Sequence, residues 1–193
     1  MSSDSIQRHR PAAAGGDRRI AVLESALVIF SRFGYRKASL EQVARAARIS
    51  RPGLYFLFAS KEELFRAAVS HALEGDVAEV ERILANSDRP IQDRLVDGFG
   101  RWAGRYIGPI TQDISAVIAD NPELLGDIVE RWPKHFSELI TSAIAEGANK
   151  ADRELADALA QTMISTSIGL KHQVSSPDEY LARLKVAIDL LLR

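Results

Sequence analysis

The 193-residue sequence predicts an all-α protein of about nine helices in two parts. Three observations lead there. Apolar residues recur at three- and four-residue steps almost from end to end, and strand-like alternation is absent. Ser-x-x-Glu/Gln starts mark helix beginnings. Charge is divided: residues 1–60 hold 10 Lys/Arg against 4 Asp/Glu, residues 61–193 hold 15 against 22, and the whole chain nets −1. A basic module that meets a polyanion, joined to an acidic body that does not, fits that division.

Residues 1–15, polar and small, read as a flexible arm, and helix is predicted from Arg18 onward. Ile20, Leu23, Leu27, Phe30 and Phe33 trace one apolar face until Gly34 stops the helix. Ser39-Leu40-Glu41-Gln42 is a capping box, and Leu40, Val43, Ala44 and Ala47 form the buried side of the short helix it opens. Ser50 caps a third, shorter helix, with Pro52 tolerated in its first turn. Ser60-Lys61-Glu62-Glu63 is a second capping box and opens a long helix to about Ala85. Further helices are predicted near 90–107, 110–119, 122–146, 152–174 and 177–192, with a kink at Pro133.

Composition removes whole classes of function. With 46% hydrophobic and 26% charged residues the chain can bury a core without staples, and with no cysteine it has no disulfide, thiolate zinc site or cysteine nucleophile. No apolar run approaches the roughly 18 residues of a membrane span. The start, Met1–Gly16, lacks the hydrophobic centre of a secretory signal, so a soluble cytoplasmic protein is expected. His9, His71, His135 and His172 share no metal spacing, and no nucleophile elbow, phosphate loop or HExxH occurs. No enzyme, cofactor or metal is expected.

The informative stretch is 39–58: two short helices joined by about three residues around Arg48-Ile49. Ala44 is small where the helix axes cross, and Ile49 and Leu54 are apolar where the pair meets a supporting helix. This is a helix-turn-helix, whose second helix enters a major groove. Amides at the starts after Ser39, Ser50 and Lys61 carry positive partial charge toward phosphates. Arg51 and Tyr55, four apart, share the face opposite Leu54 and Phe58, and Gly53 allows close backbone approach.

Phe30-Ser-Arg-Phe-Gly34, Ser39 to Ala47 and, most specifically, Leu54-Tyr55-Phe56-Leu57-Phe58-Ala59-Ser60-Lys61-Glu62-Glu63-Leu64 make the chain resemble the TetR family of bacterial transcription regulators. The resemblance covers residues 16–76 and implies a three-helix DNA-binding domain there, followed over 77–193 by a helical domain that dimerises and binds an effector. Arg48 holds a turn position often filled by Gly, and Leu57 stands where the family commonly has a phosphate-contacting side chain. Carried over residue by residue, the DNA contacts are Arg18, Arg19, Lys37, Ser39, Ser50, Arg51, Pro52, Gly53, Tyr55, Phe56 and Lys61. Arg36 on the preceding loop can touch backbone, and Arg8 and Arg10 can extend an arm toward the minor groove.

In the body, Leu181, Leu184, Ile188 and Leu191 form a stripe that Tyr180, Ala187, Leu190 and Leu192 broaden past half the circumference. Such a helix needs cover on two sides. Small residues at Ala158, Ser165, Thr166 and Gly169 suit close approach in the preceding helix. Ala158, Ser165, Thr166, Gly169, Tyr180, Leu184, Ile188 and Leu191 are therefore the expected homodimer interface. Phe99, Trp102 and Tyr106 share a face that Trp132, Phe136 and Met163 can meet, the candidate effector pocket, with Gly98, Gly100 and Gly104 leaving volume beside it. The expected function is a homodimeric repressor released from double-stranded operator DNA by a small molecule. The alternatives are a DNA-binding regulator without such a ligand, and a helical protein that retains the fold without binding DNA.

Overall fold

The computed structural model describes residues 12–104, 107, 117, 118, 120–147, 149, 152 and 154–192. Among the described residues it contains nine helices and no strand. Contacts divide the chain between Ala68 and Val69 into two compact units.

The first unit is built from α1 (Ala12–Lys37), α2 (Leu40–Ala46), α3 (Arg51–Leu57) and the opening turns of α4 (Lys61–Leu84). Helix α1 begins at Ala12 rather than at Arg18. Three successive alanines, the strongest helix formers, offset Gly15 and Gly16, which cost about 1 kcal/mol each. Residues 12–15 are thus helix rather than flexible arm; residues 1–11, with Arg8 and Arg10, lie outside the described residues. Gly34 interrupts α1 as expected, at φ 71° and ψ 160°, a conformation that glycine alone adopts freely. Val22, Leu23, Ala26 and Phe30 form the buried face of α1, whereas Ile20 and Phe33 lie off it, partly exposed. Phe30 stacks on Tyr35 and meets Phe65 edge-on at 5.1 Å, which ties α1 to the start of α4. Leu54 and Phe58 close this small core from the side of α3.

The second unit holds the remainder of α4, α5 (Ile91–Trp102), α6 (Pro122–Leu125), α7 (Ile128–Gly147), α8 (Ala156–Lys171) and α9 (Pro177–Leu191). Helices α5, α7, α8 and α9 form a closed ring, α5 on α7, α7 on α8, α8 on α9 and α9 back on α5. Leu95, Phe99, Phe136, Ile140, Ile144, Ala160, Met163, Tyr180, Leu184 and Ile188 fill its centre.

Several boundaries differ from the periodicity. The segment expected over 122–146 breaks at Gly126, φ 57°, into α6 and α7, while helix continues through Pro133. Helix α5 ends at Trp102 instead of 107, capped by Ala103. The helix expected over 110–119 falls outside the described residues except at 117 and 118, which are helical. The glycines around α5 serve packing rather than vacancy. A Cβ on Gly100 would stand 2.8 Å from Leu181 Cδ2, and one on Gly104 would stand 3.5 Å from the Tyr180 ring.

Candidate functional site

The reading head is set by its caps. Ser39 Oγ accepts from the Gln42 amide at 3.2 Å, and Gln42 Oε1 accepts from the Ser39 amide at 2.8 Å, which completes the capping box of α2. Ser50 Oγ accepts from the Gly53 amide at 3.1 Å and caps α3. Ser60 Oγ accepts from Glu63, whose carboxylate accepts in turn from the Ala59 amide rather than from that of Ser60. The turn between α2 and α3 is a Schellman closure: Ile49 donates to the Ala44 carbonyl and Arg48 to that of Arg45. Arg48 occupies the left-handed position at φ 54°, where glycine is the usual occupant.

Helix α3 buries Leu54 and turns its other side outward. Phe56 is 90% exposed and Tyr55 44%, while Arg51 and Pro52 are exposed beside them. The Arg51 guanidinium lies 5.7 Å from the Tyr55 ring centroid, and its hydrogen bond to that tyrosine raises its pKa further. A solvent-facing phenylalanine next to an arginine–tyrosine pair is costly in water and suits base edges and thymine methyl groups. Gly53 is where α3 can least carry a side chain: a Cβ would stand 3.1 Å from Ser50 Oγ and 3.2 Å from an Arg18 guanidinium nitrogen. The missing side chain makes room for Arg18 at the start of the reading helix.

Two of the predicted contact residues also have partners within the chain. Arg19 donates to the Leu57 carbonyl at 2.8 Å and covers the Phe58 ring at 4.2 Å, which ties α1 to the end of α3. Lys61 Nζ donates to the Arg36 carbonyl at 3.2 Å and sits 4.6 Å over the Tyr35 ring, where loss of water lowers its pKa. It staples α4 to the carboxy end of α1. Lys37 and Ser39 stay exposed beside that staple.

In the body, Phe99 meets Phe136 edge-on at 5.2 Å and Trp102 stacks on Phe136 at 4.9 Å. Phe99, Phe136 and Met163 belong to the packed centre of the ring, and the partly buried Trp102 packs against it; Tyr106 lies outside the described residues. Trp132 differs, because it lines a cavity of about 330 Å³ beside α7 together with Arg131, Lys134, His135 and Glu138. Its indole Nε1 is buried without a hydrogen-bond partner among the described residues. Periodicity gave no sign of this cavity, since its residues follow one another along the outer side of a single helix.

The expected interface needs correction. Tyr180, Leu184 and Ile188 are 0% exposed within one chain and face the ring, so they cannot meet a second copy. An apolar stripe wide enough for two partners does not tell which third of it faces inward. Ala158, Ser165, Thr166, Gly169 and Leu191 keep some exposure, and the apolar side chains standing out from α8 and α9 are Ile168, Val186 and Leu190.

Comparison with known proteins agrees with the geometry of the reading head. Residues 22–68 match the model of the family described as bacterial regulatory proteins, tetR family. The chain is 33% identical over 89 residues to the nicotine-responsive transcriptional repressor HdnoR of Paenarthrobacter nicotinovorans, covering 45% of each protein. It is 32% identical over 111 residues to the transcriptional repressor ComR of Escherichia coli strain K12, covering 55% of this chain and 51% of ComR. The chain thus spans about half the length of these curated relatives. A Mesorhizobium loti structure assigned to the TetR family superposes with a TM-score of 0.70 at 15% identity, over 95% of this chain and 97% of the other. At that identity the likeness is one of fold.

Proposed function

We propose that this chain, whose residues 22–68 match the family described as bacterial regulatory proteins, tetR family, is a sequence-specific, dimeric transcriptional repressor whose operator binding answers to a small molecule. The observation that carries this reading is the outward face of α3, where Arg51, Tyr55 and Phe56 stand exposed on a helix fixed by the Ser50 cap and the Arg48 turn. Residues 16–76 act as the reading head and 77–193 as the dimerising, effector-binding body. The names of the two curated relatives support repression, and that of HdnoR supports an effector. No described helix is long and apolar enough to cross a membrane. The exposed apolar residues of α8 and α9 support association with a second copy, which a near-palindromic operator requires. Effector binding would then shift operator affinity by a coupling of about 1–3 kcal/mol.

Fluorescence anisotropy tests this on the intergenic DNA beside the gene and on a scrambled duplex, across a salt series. The proposal expects preference for the intergenic probe and a steep salt slope. Arg51→Ala should weaken that preference by about tenfold or more, the scale of one lost base contact, with the helical circular-dichroism spectrum unchanged. Unchanged operator affinity in that variant would remove Arg51 from the readout. Equal affinity for both probes over several upstream regions would overturn the repressor reading.

A further inference from the structure

We propose that Phe56 determines sequence specificity: with Pro52 it forms an apolar strip on α3 that reads thymine methyl groups, beside a guanine held by Arg51. This deepens the repressor reading, on which it rests, by naming what the operator has to display. The outward side of α3 consists of two rows. Arg51 and Tyr55 are one helical turn apart and share the first, while Pro52 and Phe56 share the second, next to it. All four are exposed. The first row is polar, with the Arg51 guanidinium 5.7 Å from the centre of the Tyr55 ring. The second presents carbon alone. Phe56 is 90% exposed, whereas Val28, the next most exposed large apolar side chain among the described residues, is 65% exposed. The core beneath α3 is closed without it, by Leu54 and Phe58.

The chemistry of α3 narrows what this face can read. Its seven residues are Arg, Pro, Gly, Leu, Tyr, Phe and Leu. They include no Asn or Gln to grip adenine through paired hydrogen bonds, and no Asp or Glu to accept from cytosine. Arg51 can grip guanine through O6 and N7, and the Tyr55 hydroxyl is the one other hydrogen-bonding side-chain group on the helix. The apolar group that base edges show in the major groove is the thymine methyl. An A·T pair is therefore recognised from its thymine side, by Pro52 and Phe56. A helix rises about 1.5 Å per residue, so Arg51 and Phe56 are separated by about 7 Å along it. That distance is about two base steps, at about 3.4 Å each. Each half-site should thus hold a guanine with a thymine within about two steps of it. The strip's surroundings favour DNA over an apolar protein partner, since residues 1–60 carry 10 Lys/Arg against 4 Asp/Glu, a surplus that phosphates neutralise.

In the test, the whole protein selects duplexes from a random pool. The selected duplex is then remade with deoxyuridine at single thymine positions, which removes the methyl group and keeps the base pair. Each selected half-site should show the guanine and its nearby thymine. Deoxyuridine at that thymine should weaken wild-type binding by about fourfold, the worth of one buried methyl-sized group, and by about fifteenfold when both half-sites are changed. At thymines outside the half-sites it should change nothing. Phe56→Ala, outside the core, should keep the helical circular-dichroism spectrum and bind the thymine duplex more weakly. It should no longer distinguish thymine from deoxyuridine, because a shared contact is lost only once. Its salt slope should equal that of the wild type, since no phosphate contact is removed. A wild-type protein indifferent to the methyl, or a Phe56→Ala variant that keeps the methyl effect, would overturn the assignment. A pool that yields no consensus removes the repressor reading and this inference with it. A consensus bound without regard to thymine methyls removes this inference alone.

Discussion

Arg48 carries a conformation that its side chain opposes. At φ 54° it supplies the left-handed residue of the Schellman turn between α2 and α3, which costs an L-residue about 1–2 kcal/mol. Glycine would remove that strain but gain entropy in the unfolded chain, offsetting about half of it. Arg48→Gly should therefore stabilise the protein by about 0.5 kcal/mol, read as a higher urea midpoint at unchanged slope. A lower midpoint would mean that the arginine side chain contributes more than its backbone costs. The turn position itself is legible in the sequence, because a Ser-capped two-turn helix ending before a second Ser cap leaves one residue to reverse the chain. The duties of Arg19 and Lys61 are not legible there. Both lie in a basic cluster next to a DNA-binding motif, and only the fold brings the Leu57 and Arg36 carbonyls within their reach.

Between elements, two polar contacts hold the body in register. Tyr180 of α9 and Ser167 of α8 are both buried and joined by a 2.7 Å hydrogen bond between hydroxyls. Burial pushes the Tyr180 hydroxyl up to about 12, and the bond to Ser167 pulls the other way. Because the folded value lies above the unfolded value of about 10, the native state holds its proton more tightly between those limits. The stability is whole below about pH 10 and falls as pH rises toward 12, by up to about 3 kcal/mol. Tyr180→Phe should remove this part of the alkaline decline and cost about 1 kcal/mol at neutral pH by leaving Ser167 unpaired. Denaturant titrations of both proteins at pH 9 and 11 measure it, and identical pH slopes would defeat the assignment. Asp76, wholly buried on α4, pairs with Arg101 of α5 at 2.6 Å. Asp76→Ala should cost about 3 kcal/mol, since it strands a partly buried guanidinium. Helix existence in this body was readable from the 3.6-residue period, but the break at Gly126 was not. Pro133 looks the stronger breaker on paper, although it falls in the second turn of α7 and forfeits a single backbone bond, while Gly126 adopts the positive φ that ends α6.

At the scale of the whole molecule, the charge division and the apolar residues left outside the ring belong to one design. A basic head gains affinity from phosphates wherever it lands, so selectivity depends on engaging two half-sites at once. On the proposed function that requires a second copy, and the acidic half of the chain disfavours association by charge. The contact this function calls for is therefore expected to be apolar and local. Ile168 on α8 and Val186 and Leu190 on α9 are each more than half exposed, on the two helices that pack against each other at the end of the chain. Their neighbours Tyr180, Leu184 and Ile188 are consumed by the ring, which explains why the terminal helix is apolar around so much of its surface. Val186→Glu and Leu190→Glu leave that inner side untouched, so each variant should keep its fold. Analytical ultracentrifugation should show the pair of substitutions converting a dimer to a monomer at micromolar concentration. Operator affinity should then fall by about a hundredfold or more, because the second half-site is no longer held at millimolar effective concentration, while binding to scrambled DNA changes little. A double variant that still sediments as a dimer would place the contact on another face. One that is monomeric yet binds the operator as tightly as before would show that a single head suffices.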